Sequence, residues 1–325
     1  MKKIILFIVC SLFLTSCTFS SIEPTLSITD YLLGTIVTVK IYDKDYPAEV
    51  EDCLLKVREF EKIVSYVDDD SELSHLNKSA FKEPTIVSDE LFDIIYRAMA
   101  YCKKTNGNFD IGIGKLIELW GIGTEEARIP ILDELEQFIG FKGYEHIILD
   151  ETNRTVSYTD ERVKIHLGAC AKGYAEDMIA EYLRDVGISS AVLDFGGSIT
   201  AIGVKNDNSE FMIGITSPDN SGIVGTVGIS DKSAVTSGDY QRYFEVDGTR
   251  YHHIFDTATA FPSRSGISSV TVFCDSAFKA DCLSTAAFVG GKEDAKHLLE
   301  TENCGYVIVD NDFLVDSSVE LYEKK

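Results

Sequence analysis

The order of strand and helix patterns along the chain restricts its fold more than any other feature of the sequence. Alternating and β-branched runs predict strands, and apolar residues at helical spacing predict helices. The predicted strands cover residues 35–42, 190–197, 268–273 and 306–309, and the predicted helices cover 49–67, 89–105, 172–186 and 279–289. Because the two patterns do not alternate regularly, repeating strand–helix units are not expected. The sequence therefore predicts an α+β domain with mixed or antiparallel sheets and packed helices.

The N-terminus, MKKIILFIVCSLFLTSC, predicts export. Two lysines precede an apolar run that is too short to span a bilayer comfortably and fits a secretory signal. The run ends in Leu-Thr-Ser before Cys17, which resembles a bacterial lipobox, although an ordinary signal peptide cleaved nearby is the alternative. We expect a signal peptide over residues 1–16, a lipidated Cys17 with a tether over 17–27, and one domain over 28–325. The lipid would anchor the protein at the outer face of the cytoplasmic membrane, on the periplasmic side.

The chain is strongly acidic, with 53 Asp and Glu residues against 30 Lys and Arg residues and a formal net charge of -23. This excess of negative charge argues against nucleic acid and anionic lipid headgroups as direct partners. The membrane is then reached through the lipid anchor only. A polyanionic ligand would need a local positive charge, such as that of a metal ion, in order to bind.

Six cysteines remain in the domain if Cys10 leaves with the signal peptide and Cys17 carries lipid; these are Cys53, Cys102, Cys170, Cys274, Cys282 and Cys304. No CxxC motif occurs, so zinc-ribbon and thioredoxin-like folds are excluded by spacing. An exported chain can form disulfides, but the sequence does not define a pairing. We expect mostly free, buried thiols.

The segment FKADCLSTAAFVGG places Asp281 and Thr285 four residues apart. On a helix over residues 279–289, both side chains would lie on one face, one turn apart. A carboxylate and a hydroxyl are hard oxygen ligands, which suit magnesium when phosphate oxygens complete its shell. The alternative is an aspartate that favours the helix dipole and a threonine buried among alanines.

A second segment, HLGACAKGYAEDMIAEYL, places small residues and Lys172-Gly173 at the entrance of a helix. Small residues let the backbone approach a ligand closely, and a helix N-terminus favours an anion such as phosphate. An ordinary loop-to-helix junction with a solvated lysine is the alternative. A third segment, DFGGS at residues 194–198, places paired glycines at a strand end.

The segment RYHHIFDTATAFPS, residues 250–263, contains two adjacent histidines and an aspartate. If Tyr251–Phe255 forms a strand, His252 and His253 face opposite sides, so only one of them can line a site. Asp256 then helps to shape the loop that follows. The alternative is an ordinary strand with one histidine solvated and the other hydrogen-bonded in the core.

Several common enzyme motifs are absent from the sequence, namely the P-loop, a GxGxxG after a strand, HExxH and GxSxG. Seven other segments resemble the ApbE family and occur in the order seen there. They are LGT (33–35), SYVDDDSELSHLN (65–77), NFDIGIGKLIELWGIG (108–123), GACAKGYAED (168–177), DFGGSI (194–199), TSGDYQRYFEVDGTRYHHIFD (236–256) and ADCLSTAAFVGG (280–291). The resemblance covers nearly the whole mature chain.

The resemblance implies an ApbE-like fold and a magnesium-dependent FAD:protein FMN transferase. Such proteins bind FAD as a substrate together with Mg²⁺. They attach its FMN half through a phosphodiester to a threonine or serine hydroxyl of a target protein and release AMP. The implied acceptor is an exported or membrane flavoprotein, such as a subunit of a redox pump.

Site residues follow from the same resemblance, position by position. Asp281 and Thr285 match the side-chain metal ligands, and Ala169 matches a ligand that acts through its carbonyl oxygen. Asp281 and His253 are the residues expected to act in catalysis, with His253 as a candidate general base. The positions that match FAD-site residues are Leu33, Tyr66, Ser71, Phe109, Asp110, Ile111, Lys172, Asp177 and His253.

The chain departs from the family pattern at three places. The family usually reads His-Ile-Ile-Asp-Pro-x-Thr-Gly-x-Pro, whereas residues 253–262 lack that proline and glycine. Gly112 stands where a threonine is common, and His166 stands where an aspartate is common. These departures leave two alternatives to FMN transfer: hydrolysis of FAD to FMN and AMP at the same site, and flavin binding without catalysis.

The lipobox interpretation can be tested at Cys17. The substitution Cys17→Ala removes the thiol that would carry lipid, so we expect lipid attachment to be lost. The protein would then keep its signal peptide or be released by another cleavage. Metabolic lipid labelling measures this, and labelling of the variant at the wild-type level would rule the lipobox out.

Overall fold

A computed structural model describes residues 23–219 and 221–322 of the chain. The predicted signal peptide over residues 1–16, the lipidation site Cys17 and the first part of the tether lie outside this described portion. The domain predicted from residue 28 onward lies almost entirely within it.

The strands follow one another along the whole described chain. They are β1 (Leu26–Leu32), β2 (Thr35–Ile41), β3 (Thr85–Ile86), β4 (Ile147–Asp150), β5 (Thr155–Tyr158), β6 (Ala191–Phe195), β7 (Ile199–Ile202), β8 (Phe211–Thr216), β9 (Ile223–Ile229), β10 (Lys232–Gly238), β11 (Tyr243–Val246), β12 (Thr249–His252), β13 (Phe255–Asp256), β14 (Phe261–Pro262), β15 (Ile267–Cys274), β16 (Gly305–Asp310) and β17 (Val315–Ser317).

The helices are interspersed among these strands without a regular repeat. They are α1 (Cys53–Val64), α2 (Glu72–Ser79), α3 (Asp89–Lys104), α4 (Gly114–Trp120), α5 (Leu132–Leu135), α6 (Ala171–Asp185), α7 (Ala277–Gly290) and α8 (Lys292–Thr301), with short 3-10 helices at Ala48–Asp52, Glu136–Phe138 and Gly143–His146.

The largest described sheet has eight strands in the order β1-β2-β6-β7-β10-β15-β16-β17. Every neighbouring pair in it is antiparallel. Smaller antiparallel groups are formed by β3-β5-β4 and by the pairs β8-β9, β11-β12 and β13-β14. The predicted α+β class with antiparallel sheets and packed helices is therefore confirmed.

The two faces of the large sheet have different coverings. Strand side chains alternate between faces, so neighbouring residues of β10 point to opposite sides. Val235 and Val270 pack with Leu283 of α7 on the helical side. On the other side, Ala234 packs with Phe211 of the β8–β9 hairpin. The sheet thus separates a helical layer from a hairpin layer.

Most of the predicted elements are present with small changes of their bounds. Helix α3 begins after Ser88, whose hydroxyl accepts the Leu91 N–H at 3.2 Å, as expected of an N-cap. The predicted helix over residues 49–67 is divided into a 3-10 turn and α1. The predicted strand through residues 251–255 is wrong in its extent, because β12 ends at His252 and β13 begins at Phe255.

Within residues 23–219 and 221–322, a disulfide joins Cys274 and Cys304, whereas Cys53, Cys102, Cys170 and Cys282 are free and buried. The expectation of mostly free thiols is confirmed for these four. The strand register explains this pairing. Phe273 of β15 lies opposite Gly305 of β16, so Cys274, which follows Phe273, lies next to Cys304, which precedes Gly305.

No helix in the described part of the chain combines the length and apolar character needed to cross a bilayer.

The disulfide closes a loop whose ends are 30 residues apart, and this crosslink lowers the conformational entropy of the unfolded chain. We expect the double variant Cys274→Ala/Cys304→Ala to lose about 3–4 kcal/mol of unfolding free energy, the loop-entropy value for this separation. Denaturant unfolding without reductant measures the change. Cys53→Ala removes a buried thiol without opening a loop and is the control; equal losses in both proteins would show that the crosslink contributes nothing.

Candidate functional site

Helix α7 positions Asp281 and Thr285 one turn apart, as the spacing predicts. Ser276 caps the helix, and its hydroxyl accepts the Lys279 N–H at 3.1 Å. Asp281 is 4% exposed, whereas Thr285 is half-buried. The pair therefore belongs to a nearly buried helix, and only the threonine is partly open to solvent.

Asp177 of α6 holds the N-terminus of α7. Its carboxylate accepts hydrogen bonds from the Ser276 hydroxyl at 2.6 Å, the Ala277 N–H at 2.7 Å and the Phe278 N–H at 3.1 Å. A carboxylate at a helix N-terminus satisfies unpaired N–H groups and complements the helix dipole. Asp177, which matches an FAD-site position, is thus engaged in fixing the helix that carries Asp281.

The Asp281 carboxylate meets the N-terminus of α6. Its Oδ2 accepts the Gly173 N–H at 3.1 Å, and the Lys172 ammonium lies 3.4 Å away. Burial raises the pKa of Asp281, while the charge of Lys172 opposes that shift. A buried carboxylate that accepts one N–H, and whose ammonium partner comes no nearer than 3.4 Å, is only partly compensated. An additional cation would be stabilised at this carboxylate.

The turn before α6 leaves the Ala169 carbonyl oxygen available. In a regular helix the Gly173 N–H would donate to the carbonyl four residues earlier, which is that of Ala169. Here it donates to Asp281 instead, and no described backbone N–H donates to the Ala169 oxygen. The same contact therefore anchors the carboxylate and frees the carbonyl.

Thr285 lies beside strand β10, with its Oγ1 3.5 Å from Ser237 Oγ. The shorter bond of Ser237 is to Ser284, at 2.9 Å. Among the residues the structure describes, no group of three His, Cys, Asp or Glu side chains could hold a metal. The donors at this place are one carboxylate, one hydroxyl and one carbonyl, all hard oxygens. This set fits magnesium if substrate phosphate oxygens supply further ligands.

His253 is half-buried, and Arg242 fixes its ring. The backbone N–H of His253 donates to the Arg242 carbonyl at 3.2 Å, and the ring Nδ1 of His253 lies 3.2 Å from the same oxygen. Because a carbonyl oxygen only accepts, Nδ1 carries the hydrogen and Nε2 keeps its lone pair. Burial lowers the pKa of His253 to about 3, and the charges of Arg242 and Lys172 act in the same direction. The ring is therefore neutral at pH 7.

His252 has different surroundings. It is 2% exposed, its Nε2 lies 2.9 Å from the Ser263 carbonyl, and its Nδ1 accepts the Ile254 N–H at 3.3 Å. Its ring packs edge-on against Phe288. The two histidines are therefore not equivalent, although β12 ends between them, and His252 is a hydrogen-bonded core residue.

Tyr66 and His166 form a second part of the candidate site. Their ring centroids are 4.3 Å apart, and the Tyr66 hydroxyl donates to the Gly114 carbonyl at 3.1 Å. The Lys164 ammonium lies 4.7 Å from the Tyr66 ring. Burial, followed by the charge of Arg242, lowers the pKa of His166 to about 4. A neutral ring therefore occupies the position where the family pattern has an aspartate.

Phe109, Asp110 and Ile111 form a buried segment before α4. Phe109 and Ile111 are each 1% exposed. Asp110 Oδ1 accepts the N–H groups of Gly112 at 2.7 Å and Tyr144 at 3.0 Å, whereas its buried Oδ2 has no partner among the described residues. Burial raises the pKa of Asp110 to about 7. The segment thus contains a carboxyl group that is only partly satisfied.

Gly112, where the family pattern has a threonine, lies directly against the backbone of Gly143. A Cβ atom on Gly112 would be 2.4 Å from the Gly143 carbonyl carbon, and a Cβ on Gly143 would meet Gly112 equally closely. Backbone atoms cannot move aside as a flexible side chain can. This departure therefore accompanies a glycine–glycine contact.

Ser71 and Leu33 lie at element ends. Ser71 is 1% exposed and caps α2, where its hydroxyl accepts the Ser74 N–H at 3.0 Å and donates to the Ser65 carbonyl at 2.6 Å. Leu33 follows β1 with a φ of 52°, and its N–H donates to Glu61 at 2.6 Å. Ser71 thus stabilises its own helix, and Leu33 belongs to the turn at the end of the sheet.

The loop after His253 closes without the proline and glycine of the family pattern. Asp256 Oδ1 accepts the Ala258 N–H at 2.8 Å, and Asp256 pairs with Phe261 across β13 and β14. Ala260 adopts the positive φ, 60°, that a glycine takes most easily, and its carbonyl accepts the Trp120 indole N–H at 3.0 Å. The hydrogen bond from the buried Trp120 side chain therefore stabilises this turn, although the turn lacks the proline and glycine of the family pattern.

Arg242 was not recognised from the sequence. Its carbonyl holds His253, and its Nη2 would lie 3.6 Å from a Cβ on Gly34, in the turn that contains Leu33. Its guanidinium forms no salt bridge with a carboxylate in the described part of this acidic chain. The only sequence signal was its place in the segment TSGDYQRYF.

Glu176 is a second residue that the sequence did not indicate. It is fully buried, and its Oε2 accepts the Thr200 hydroxyl at 2.7 Å. Its Oε1 and the Ser198 hydroxyl are both buried, and although Ser198 interacts with this carboxyl group, neither atom forms a hydrogen bond of normal geometry among the described residues. Burial raises the pKa of Glu176 to about 8, and the nearby charge of Asp281 contributes in the same direction. A glutamate in a helical pattern ordinarily predicts an exposed side chain.

A family model described as the ApbE family matches residues 33–308 of the chain. An FAD:protein FMN transferase from Treponema pallidum is 34% identical over 289 residues, which cover 83% of this chain and 80% of that protein. Another from Klebsiella pneumoniae is 31% identical over 264 residues, which cover 81% of each chain.

Solved structures show the same similarity. The ApbE protein from Thermotoga maritima superposes with a TM-score of 0.82 and 33% identity, over 90% of this chain and 96% of that one. The flavin transferase ApbE from Vibrio cholerae superposes with a TM-score of 0.81 and 27% identity, over 91% and 96% of the two chains. The similarity therefore extends over most of the fold.

Proposed function

The chain belongs to the ApbE family, and we propose that it transfers FMN from FAD to a threonine or serine hydroxyl of an exported or membrane flavoprotein, with a magnesium ion in the site. The relatives compared above are FAD:protein FMN transferases. The observation that carries the proposal is the buried Asp281 carboxylate, which takes the Gly173 N–H that would otherwise reach the Ala169 carbonyl and lies one helical turn before Thr285.

Magnesium would be held by Asp281, Thr285 and the Ala169 carbonyl, and when bound it would draw charge from the FAD pyrophosphate and stabilise the AMP leaving group. Lys172 lies 3.4 Å from Asp281 and adds a positive charge at the same place. These two positive charges would let the protein hold a pyrophosphate despite its net charge of -23.

The acceptor hydroxyl oxygen would form a bond to the FMN phosphorus of FAD. The bond from that phosphorus to the bridging oxygen breaks, and AMP leaves with that oxygen. The hydroxyl proton needs an acceptor, and the free Nε2 of His253 is the group we assign to it. Arg242 contributes by holding Nδ1, which keeps Nε2 unprotonated.

We also propose that Cys17 carries the lipid anchor and that the domain acts outside the cytoplasmic membrane. The support is the apolar run that ends in Leu-Thr-Ser before Cys17. An anchored enzyme would then meet exported acceptors at the membrane surface.

The metal ligands can be tested by substitution. We expect Asp281→Ala to lower FMN transfer at least about a hundredfold, which corresponds to about 2.7 kcal/mol. Thr285→Ala should cost about tenfold, because a neutral hydroxyl is a weaker donor to a hard cation. Magnesium titration of FMN transfer, with AMP release as a second readout, measures both effects.

Asp275→Ala is the matched control for the metal ligands, because Asp275 is an exposed acid just before α7. It should retain wild-type transfer and the wild-type magnesium requirement. An unchanged magnesium dependence in Asp281→Ala would mean that Asp281 and Thr285 are only features of the helix.

The two histidines should respond differently to substitution. We expect His253→Ala to weaken FAD use or slow transfer at least about tenfold, or roughly 1.4 kcal/mol. His252→Ala should stay within a few-fold of wild type in its kinetics but lose thermal stability, because it leaves a cavity in the core. Steady-state kinetics and thermal unfolding separate the two effects. Equal kinetic effects of the two substitutions would show that the segment has only a structural role.

The pH profile distinguishes a base from a positioning residue. Because the pKa of His253 is about 3, its ring is neutral from pH 8 to pH 5, so its own titration should slow transfer only at lower pH. If His253 is the base, His253→Ala lowers kcat and removes that acid limb. If it positions the flavin, KM rises and the limb persists.

A further inference from the structure

A cavity of about 520 Å³ lies on the face of the large sheet opposite α7. Its sheet side is formed by alternate strand residues, among them Lys40, Asp194 and Thr236, which is the pattern of side chains standing on a sheet face. Its other wall is formed by β8. The cavity is therefore a slot between the hairpin and the uncovered part of the sheet.

The β8 wall differs from the sheet wall because six consecutive residues, Phe211–Thr216, line the slot. Consecutive residues line a space only when a strand presents its edge. Strand β8 pairs with β9 on one side. On the side of the slot, no described residue forms a hydrogen bond with its backbone beyond the ladder to β9. A strand with such an edge is a template for an added strand.

The slot and the candidate site share strand β10 and the segment that follows it. Thr236 lines the slot, whereas the next residue, Ser237, contacts Ser284 and Thr285 on the helical side. Gln241 lines the slot, and the carbonyl of the next residue, Arg242, holds His253. The path from the slot to the site therefore passes over the end of β10.

The charged side chains that line the slot have a net positive charge, although the chain as a whole is strongly acidic. Lys40 and Lys205 line it with a single carboxylate, that of Asp194. Neither lysine forms a salt bridge within the part of the chain described. Unpaired lysines beside a free strand edge favour an extended segment that carries acidic side chains.

We propose that this slot is the docking groove for the acceptor protein. An extended, acidic segment of the acceptor adds to the free edge of β8 and packs over the sheet. Its threonine or serine then passes the end of β10 at Gly238 to meet FAD on the other side. The inference rests on the proposed FMN transfer and concerns where the second substrate binds.

Charge reversal in the slot tests the proposal. The acceptor probe is the membrane protein fraction of a strain that lacks this chain, and covalent flavin fluorescence on denaturing gels measures transfer. We expect Lys40→Glu/Lys205→Glu to slow protein flavinylation at least about tenfold. FAD affinity and its magnesium dependence should remain unchanged, because these lysines face away from α7.

Lys44→Glu/Lys82→Glu makes the same charge change at exposed lysines outside the slot and should flavinylate at the wild-type rate. Equal rates for the two double variants would overturn the docking groove while leaving the transferase activity intact. Weakened FAD binding in the slot variant would also overturn it. Absence of flavinylation by wild type would defeat the proposed function itself.

Photo-crosslinking gives a second, direct measurement. A benzophenone amino acid at Met212, which is 47% exposed on β8, should crosslink to a protein that becomes fluorescent with flavin. The same group at Ile86, 75% exposed on β3, should not. Crosslinking to flavinylated protein from Ile86 but not from Met212 would place the acceptor elsewhere and overturn the proposal.

Discussion

The close contact between α6 and α7 is the constraint on which the candidate site depends. A Cβ atom on Gly173 would lie 2.4 Å from the Ala277 carbonyl oxygen, so the two helices meet with backbone against backbone. This approach lets the Gly173 N–H reach Asp281 and lets Asp177 hold the first turn of α7. A larger residue at position 173 would separate the helices and remove both interactions together.

The electrostatics of the site follow from that contact. The chain has a net charge of -23, and two buried carboxyl groups, those of Asp110 and Glu176, each have one oxygen without a hydrogen bond in the described part of the chain. Asp281 accepts one N–H and has the Lys172 ammonium at 3.4 Å, and one oxygen of the buried Glu176 carboxyl group has no hydrogen bond in the described part of the chain. Buried carboxyl groups in this state favour a cation or a proton. The proposed magnesium ion would supply that charge and would link an acidic protein to a pyrophosphate.

The large sheet divides the two halves of the proposed reaction. The helical face holds the groups assigned to FAD and metal, and the hairpin face offers a free strand edge and two unpaired lysines. Residues 236–242 belong to both, since alternate side chains of β10 face opposite ways and Arg242 holds His253. A single strand end thereby brings the two proposed substrates together.

The sequence alone determined the local features of this protein. Helical and alternating patterns predicted four of the strands and four of the helices within a few residues, placed Asp281 and Thr285 one turn apart and indicated that His252 and His253 are not equivalent. These features depend on neighbours within one or two turns, so periodicity reports them. Only the tertiary structure decided that Asp177 caps a helix 99 residues away, that Cys274 faces Cys304, that Ala260 accepts a positive φ and that a slot lies beside β8. Each of these depends on contacts between distant segments, and such contacts are set by how the sheet and helices pack rather than by local pattern.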